Sequence, residues 1–176
     1  MLIPLSHLIL PPALLWVVFS DLLYRRIANR LVLILLALWT TGVVWQLQAG
    51  LAGAVWSEAA PGLLAAALVL VLGYLLFAMH WVGAGDVKLM AVLCLWMGDQ
   101  SFAFLIVTSL CGGMLALGLP LLRTTETMLA LLVVRVQAVL PGGPWPVPMA
   151  LREQSLPGIP YGLAIAAGAM FALYLD

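Results

Sequence analysis

Long uncharged stretches, cut by short segments that hold nearly all the charge, constrain this chain more than any other feature. Leu31 to Gln48 and Pro61 to Trp81 contain no Asp, Glu, Lys or Arg. Each is close to the roughly 20 apolar residues that a helix needs to cross a bilayer. The chain is 65% hydrophobic and 8% charged, whereas soluble domains lie near 45–50% and about 25%. A polytopic membrane protein follows, because only lipid accommodates that much outward-facing apolar surface.

The remaining spans are read in the same way. A first run from Leu2 to Phe19 carries Pro11-Pro12, which is expected to kink or divide it. No Lys or Arg precedes Arg25, so the basic region of a cleavable signal peptide is missing and this run is expected to stay in the membrane. Val87 to Met97 is only about half a span. Gly98-Asp99-Gln100 follows it, then Ser101 to Leu122, and finally Ile159 to Leu175. The fourth helix is therefore expected to be short, recessed or continued past Asp99. Between Arg123 and Gly158 lies a loop whose apolar Met128 to Leu140 carries Arg135 and Gln137, which suits an interfacial or re-entrant helix. The prolines and glycines from Pro141 to Pro148 then break regular structure, with Trp145 an expected interface anchor.

The fold class that results is all-α: one transmembrane domain over residues 1–176, with about six membrane helices and the amino terminus outside. Orientation comes from the basic residues, which accumulate in cytoplasmic loops. In this arrangement Arg25, Arg26, Arg30, Lys88, Arg123, Arg135 and Arg152, all 7 of the Lys and Arg residues, fall on the cytoplasmic side. Glu58, Asp99 and Asp176 fall outside. The formal net charge of +0 and the absence of a basic patch give no sign of a nucleic-acid partner.

The same arrangement brings two acids to one membrane face: Asp21, closing the first run, and Asp86, set behind glycines in Gly83-Ala84-Gly85-Asp86. An ionisable residue at membrane depth marks a functional site by default. Two carboxylates within a few ångströms do not both ionise easily, so such a pair shares a proton and offers an acid and a base together. That chemistry suits hydrolysis by an activated water, and it needs no nucleophilic side chain. Gly83 and Gly85 are read as giving unusual backbone freedom and room for a substrate backbone. Lys88 is a weaker candidate for active-site support, since positions i and i+2 on a helix do not face one another. Taken singly, Asp86 as a helix cap and Asp21 as a partner of Arg25 are plainer explanations. Cys94 and Cys111 stand inside apolar runs and read as buried packing residues. No metal site is expected, since no His, Cys and acid cluster has ligand spacing, and no cofactor is expected.

Asp21 with Ile27-Ala28-Asn29 downstream, Gly83-Ala84-Gly85-Asp86-Val87-Lys88-Leu89, and Pro160-Tyr161-Gly162 opening the last run together resemble the type IV prepilin peptidases, which are GxGD aspartic intramembrane proteases. In that family Ile-Pro-Asn usually follows the first acid, and Ala28 stands here in place of the proline. Larger members carry paired CxxC motifs, which go with methylation of the new pilin amino terminus. This sequence has no CxxC, so it resembles the small peptidase-only branch of the tight-adherence (Flp) pili, and methylation is not expected. The resemblance implies an Asp21/Asp86 dyad in the bacterial inner membrane that acts at the cytoplasmic face. It also implies a prepilin or pseudopilin substrate with a basic leader, cut after glycine, whose apolar helix stays in the bilayer. Glu126 and Glu153 are candidates for contacts with that leader. The competing class is a small proton-coupled transporter or a structural subunit of a pilus or secretion assembly, in which the same acids relay a proton or bind a cation.

Overall fold

The computed structural model describes residues 2–139, 148, 151 and 159–175, and among these all regular structure is helical. Seven α-helices follow in order: α1 Leu2–Tyr24, α2 Asn29–Gln48, α3 Ala52–Ala78, α4 Ala84–Met97, α5 Ser101–Leu117, α6 Leu119–Val139 and α7 Tyr161–Leu173, with a 3₁₀ turn at Gly98–Gln100 between α4 and α5. Four stretches among the described residues are long and apolar enough to cross a membrane: Ser6–Tyr24, Asn29–Gln48, Val55–Ala78 and Ala84–Leu117. The last of these takes in α4, the 3₁₀ turn and α5. The chain is therefore an all-helical membrane protein. Pro141 to Val147, Arg152, Glu153 and Asp176, for which the sequence carried expectations, lie outside the described residues.

The short helices are the inner ones. At 14 and 13 residues, α4 and α7 rise only about 20 Å each at 1.5 Å per residue, too little for a hydrocarbon core about 30 Å thick. Both are surrounded by protein, which removes the need to match it. Leu89, Leu93 and Cys94 of α4 and Ala164, Ile165 and Ala169 of α7 are wholly buried, and α4 packs against α2, α3, α5 and α7. The longer helices α1, α2 and α3 turn apolar side chains outward, with Leu15 at 70% exposure and Val71 at 62%. In water that surface would be costly; against acyl chains it is the expected one.

Several boundaries differ from the sequence reading: α3 begins at Ala52 with Pro61 inside it, and α5 stops at Leu117, short of Leu122. Pro11 and Pro12 stand inside a continuous α1, which is tolerated because Leu10, Leu14 and Val17 pack one face of the helix into the core. The same helix runs on to Tyr24, so Asp21 sits within its last turn instead of just beyond its end. It stops at Arg25, whose φ of 52° is left-handed. Finally, α6 begins at Leu119, well before the apolar run at Met128, so Arg123 and Glu126 are helical.

Close helix contacts rest on glycines. A Cβ at Gly62 of α3 would come 2.7 Å from the Cys94 carbonyl oxygen, and one at Gly168 of α7 would come 2.9 Å from the Thr108 amide nitrogen of α5. Neither neighbour is a flexible side-chain tip that can move aside. Gly168→Ala is therefore expected to spread α5 from α7 and to destabilise by about 1–3 kcal/mol, the usual cost of overpacking. A lowered thermal midpoint in detergent would show it, and an unchanged midpoint would refute the close packing.

Candidate active site

The helix order brings the end of α1 and the beginning of α4 to the same end of the bundle. Asp21 and Asp86 line one cavity there, about 330 Å³ in volume, with Arg25, Arg26, Ile27, Asn29, Gly83, Ala84, Gly85 and Lys88. All five residues singled out from the sequence (Asp21, Asp86, Gly83, Gly85 and Lys88) thus stand on one wall or another of a single cavity. The two acids interact electrostatically. Asp21 is buried at 6% exposure and Asp86 is half-buried.

The Asp21 carboxylate is held by a backbone amide. The Gly162 N–H donates to Asp21 Oδ2 at 2.7 Å, bridging α7 and α1. The Asp86 carboxylate lies against Gly83 at the start of its own helix, with Oδ2 2.9 Å from where a Cβ on Gly83 would be. That placement is compatible with the sequence-based reading of Asp86 as a local cap. It does not compete with a chemical role, because a carboxylate keeps further lone pairs after one bond.

The glycines act through closeness and not through unusual backbone angles. Gly83 has φ −74°, and among the described glycines only Gly50 and Gly98 have positive φ. A Cβ at Gly83 would lie 2.9 Å from Asp86 Oδ2, and one at Gly85 would lie 3.3 Å from the Ile27 Cβ. Gly85 is thus where the loop after Asp21 rests on the turn before Asp86. Lys88 is exposed at the cavity's rim.

Charge around the cavity is arranged differently from the expectation. Glu126, read from sequence as a contact for a basic leader, is buried and accepts two hydrogen bonds from Arg25 Nη2, at 2.9 and 3.0 Å. This pair fastens α6 to the end of α1, one turn beyond Asp21. With side-chain exposures of 17% and 8%, removing one charge strands the other in a poorly hydrated place. Glu126→Gln is therefore expected to loosen α6, so that trypsin cuts more rapidly after Arg123 or Arg135 in membranes. Wild-type cutting rates in that variant would sink the fastening role. His80 plays no part in the cavity; with φ 62° it ends α3, where the Trp81 N–H reaches the Leu76 carbonyl at 3.0 Å. Asp99 and Glu58 line a separate cavity with Trp39 and Gln46.

No group of three or more His, Cys, Asp or Glu among the described residues could hold a metal ion. What the cavity can do is bind water between two carboxylates, one able to accept a proton and the other to donate one.

The chain is thus an all-helical membrane protein whose two acids open into one cavity at the ends of its helices. Residues 8–117 match the type IV leader peptidase family, and the chain belongs to that family of peptidases. No curated protein and no solved structure matches it. The match takes in both acids, while Gly162 lies beyond it.

Proposed function

We propose that this chain is an aspartic endopeptidase of the bacterial inner membrane that removes the leader from a type IV prepilin-like substrate at the cytoplasmic face. The observation that carries the reading is the shared cavity of Asp21 and Asp86, supported by membership of the family. In the working state the two carboxylates hold one proton between them. The ionised member takes a proton from a water as its oxygen attacks the scissile carbonyl carbon, and the protonated member gives its proton to the carbonyl oxygen. Collapse of the tetrahedral species breaks the C–N bond, and the amine leaves with a proton returned by the dyad. General acid-base help of this type contributes about 10²- to 10⁴-fold.

The surroundings suit that task. Asp21 is buried and amide-bonded, so its geometry is set before substrate arrives, and preorganised groups of this kind cost no rearrangement during reaction. Bare α-carbons at Gly83 and Gly85 leave room for an extended substrate backbone. A substrate helix must unwind to enter, because a helical peptide bond is shielded by its own turn.

Purified protein mixed with a prepilin-like substrate in proteoliposomes tests the reading: appearance of the shortened substrate supports it, and an uncut substrate with a folded enzyme overturns it. In the same assay a metal chelator is expected to leave the rate unchanged, because the proposed steps use only the two carboxylates and water. A rate lost to chelator and restored by zinc would refute the metal-free mechanism.

A further inference from the structure

The two acids come from α1 and α4, but the cavity end of the bundle has a third contributor. Gly162 in the first turn of α7 donates its N–H to Asp21 Oδ2 at 2.7 Å. Its missing side chain matters as much as its amide: a Cβ there would come 2.8 Å from Oδ2 and 3.0 Å from both the Cβ and the Cγ of Asp21. The Asp21 side chain therefore lies flat against a bare α-carbon. One residue earlier, Tyr161 is set into α5 in the same manner. A Cβ at Gly112 would meet its hydroxyl at 2.6 Å and its ring at 2.8 Å. Tyr161 also stands within electrostatic range of Asp86, and the preceding Pro160 is fully buried.

From this we propose that the first turn of α7 is a positioning element for the reaction, with Gly162 fixing Asp21 and the Tyr161–Gly112 contact fixing Gly162. The inference rests on the dyad reading above. With Oδ2 engaged by the amide, Oδ1 is the oxygen left to exchange a proton in the reaction. The rotamer that presents it is set by α7 and not by α1. Gly112 belongs to this device although its own distance from the chemistry is a full tyrosine ring: it determines how deeply Tyr161 sits, and hence where the Gly162 amide points. The family match ends at Leu117, so Tyr161 and Gly162 lie beyond the matched stretch while Gly112 lies within it. Displacement of a reacting group by about 1 Å is enough to cost about 10²-fold in rate.

Neighbouring glycines on α5 provide the test. Gly112 faces Tyr161, whereas Gly113 has nothing within 4 Å of where its Cβ would be, and alanine is the better helix former at either position. Full-length protein in proteoliposomes, cutting a prepilin-like substrate, is compared as wild type, Gly162→Ala, Gly112→Ala, Gly113→Ala and Asp21→Asn. The expected result is a fall in kcat of about 10²-fold for Gly162→Ala and Gly112→Ala with KM within about threefold, and wild-type values for Gly113→Ala. A lost fold would not single out kcat in this way. If Gly162→Ala and Gly112→Ala keep wild-type kcat while Asp21→Asn is inactive, the positioning role is wrong and the dyad stands. If Asp21→Asn still cuts, the dyad itself is wrong. A rise in KM alone, or failure of both alanine variants to accumulate in the membrane, assigns α7 to binding or to folding and rejects the proposal.

Discussion

Asp21→Asn and Asp86→Asn are each expected to lower leader cleavage by at least about 10²-fold, and by up to about 10⁴-fold, while the protein accumulates normally. Asparagine has the shape of aspartate but neither takes nor gives a proton near neutral pH. Its carbonyl oxygen still accepts a hydrogen bond, so the Gly162 amide keeps its partner at position 21. Alanine behaves differently. Asp21→Ala leaves a buried amide at the start of α7 without a partner, and loss of a helix cap costs about 1 kcal/mol. A lower membrane level for Asp21→Ala than for Asp21→Asn would reflect this structural share of the residue's work. Cleavage by either asparagine variant at a rate within a few-fold of wild type would remove the dyad from the mechanism.

How far the site was legible in the sequence depends on which kind of group makes each contact. Asp21 and Asp86 stood out because acids are rare in so apolar a chain and because helix counting brings both to one face. The shortness of α4 was legible for the same reason: Gly98-Asp99-Gln100 interrupts the apolar run. The hold on Asp21 was not. Its donor is a backbone N–H 141 residues away, and an amide leaves no mark in a residue pattern beyond the glycine that lets it approach. The Arg25–Glu126 pair is separated by 101 residues; counting charges placed both on one side but gave no reason to join them. Where α6 starts was hidden as well, since the apolar run reads unbroken from Ser101 to Leu122, whereas α5 stops at Leu117 and α6 begins at Leu119, with Pro120 admitted in its first turn, where its missing N–H has no partner to lose. Of the two purposes assigned to Gly83 and Gly85, unusual backbone freedom is not used; freedom and close approach select the same residue, and only coordinates separate the two.

Sidedness carries the second large effect, because the proposed chemistry requires the dyad end of the bundle to face the cytoplasm. The end of α1, the start of α2, the end of α3 and the starts of α4 and α7 share that end. Ser57 lines the cavity shared with Asp99, at the other end of α3. Single cysteines in a Cys94→Ala, Cys111→Ala background, treated with an impermeant thiol reagent, are therefore expected to divide sharply. Ser57→Cys should label in intact cells, whereas Ala28→Cys, Thr125→Cys and Arg152→Cys should label only after permeabilisation. The crucial position is 152, because α6 at 21 residues is long enough to cross a bilayer yet carries Arg123, Glu126 and Arg135. Burying those charges in lipid costs roughly 2.5–3.5 kcal/mol each near the bilayer centre, and Glu126 is already fastened to Arg25 at the dyad end. On the proposed topology α6 is therefore expected to lie at the interface with its carboxyl-terminal side cytoplasmic. Labelling of Arg152→Cys in intact cells would mean that α6 crosses. Labelling of Ala28→Cys in intact cells would turn the dyad outward and end the case for cytoplasmic cleavage.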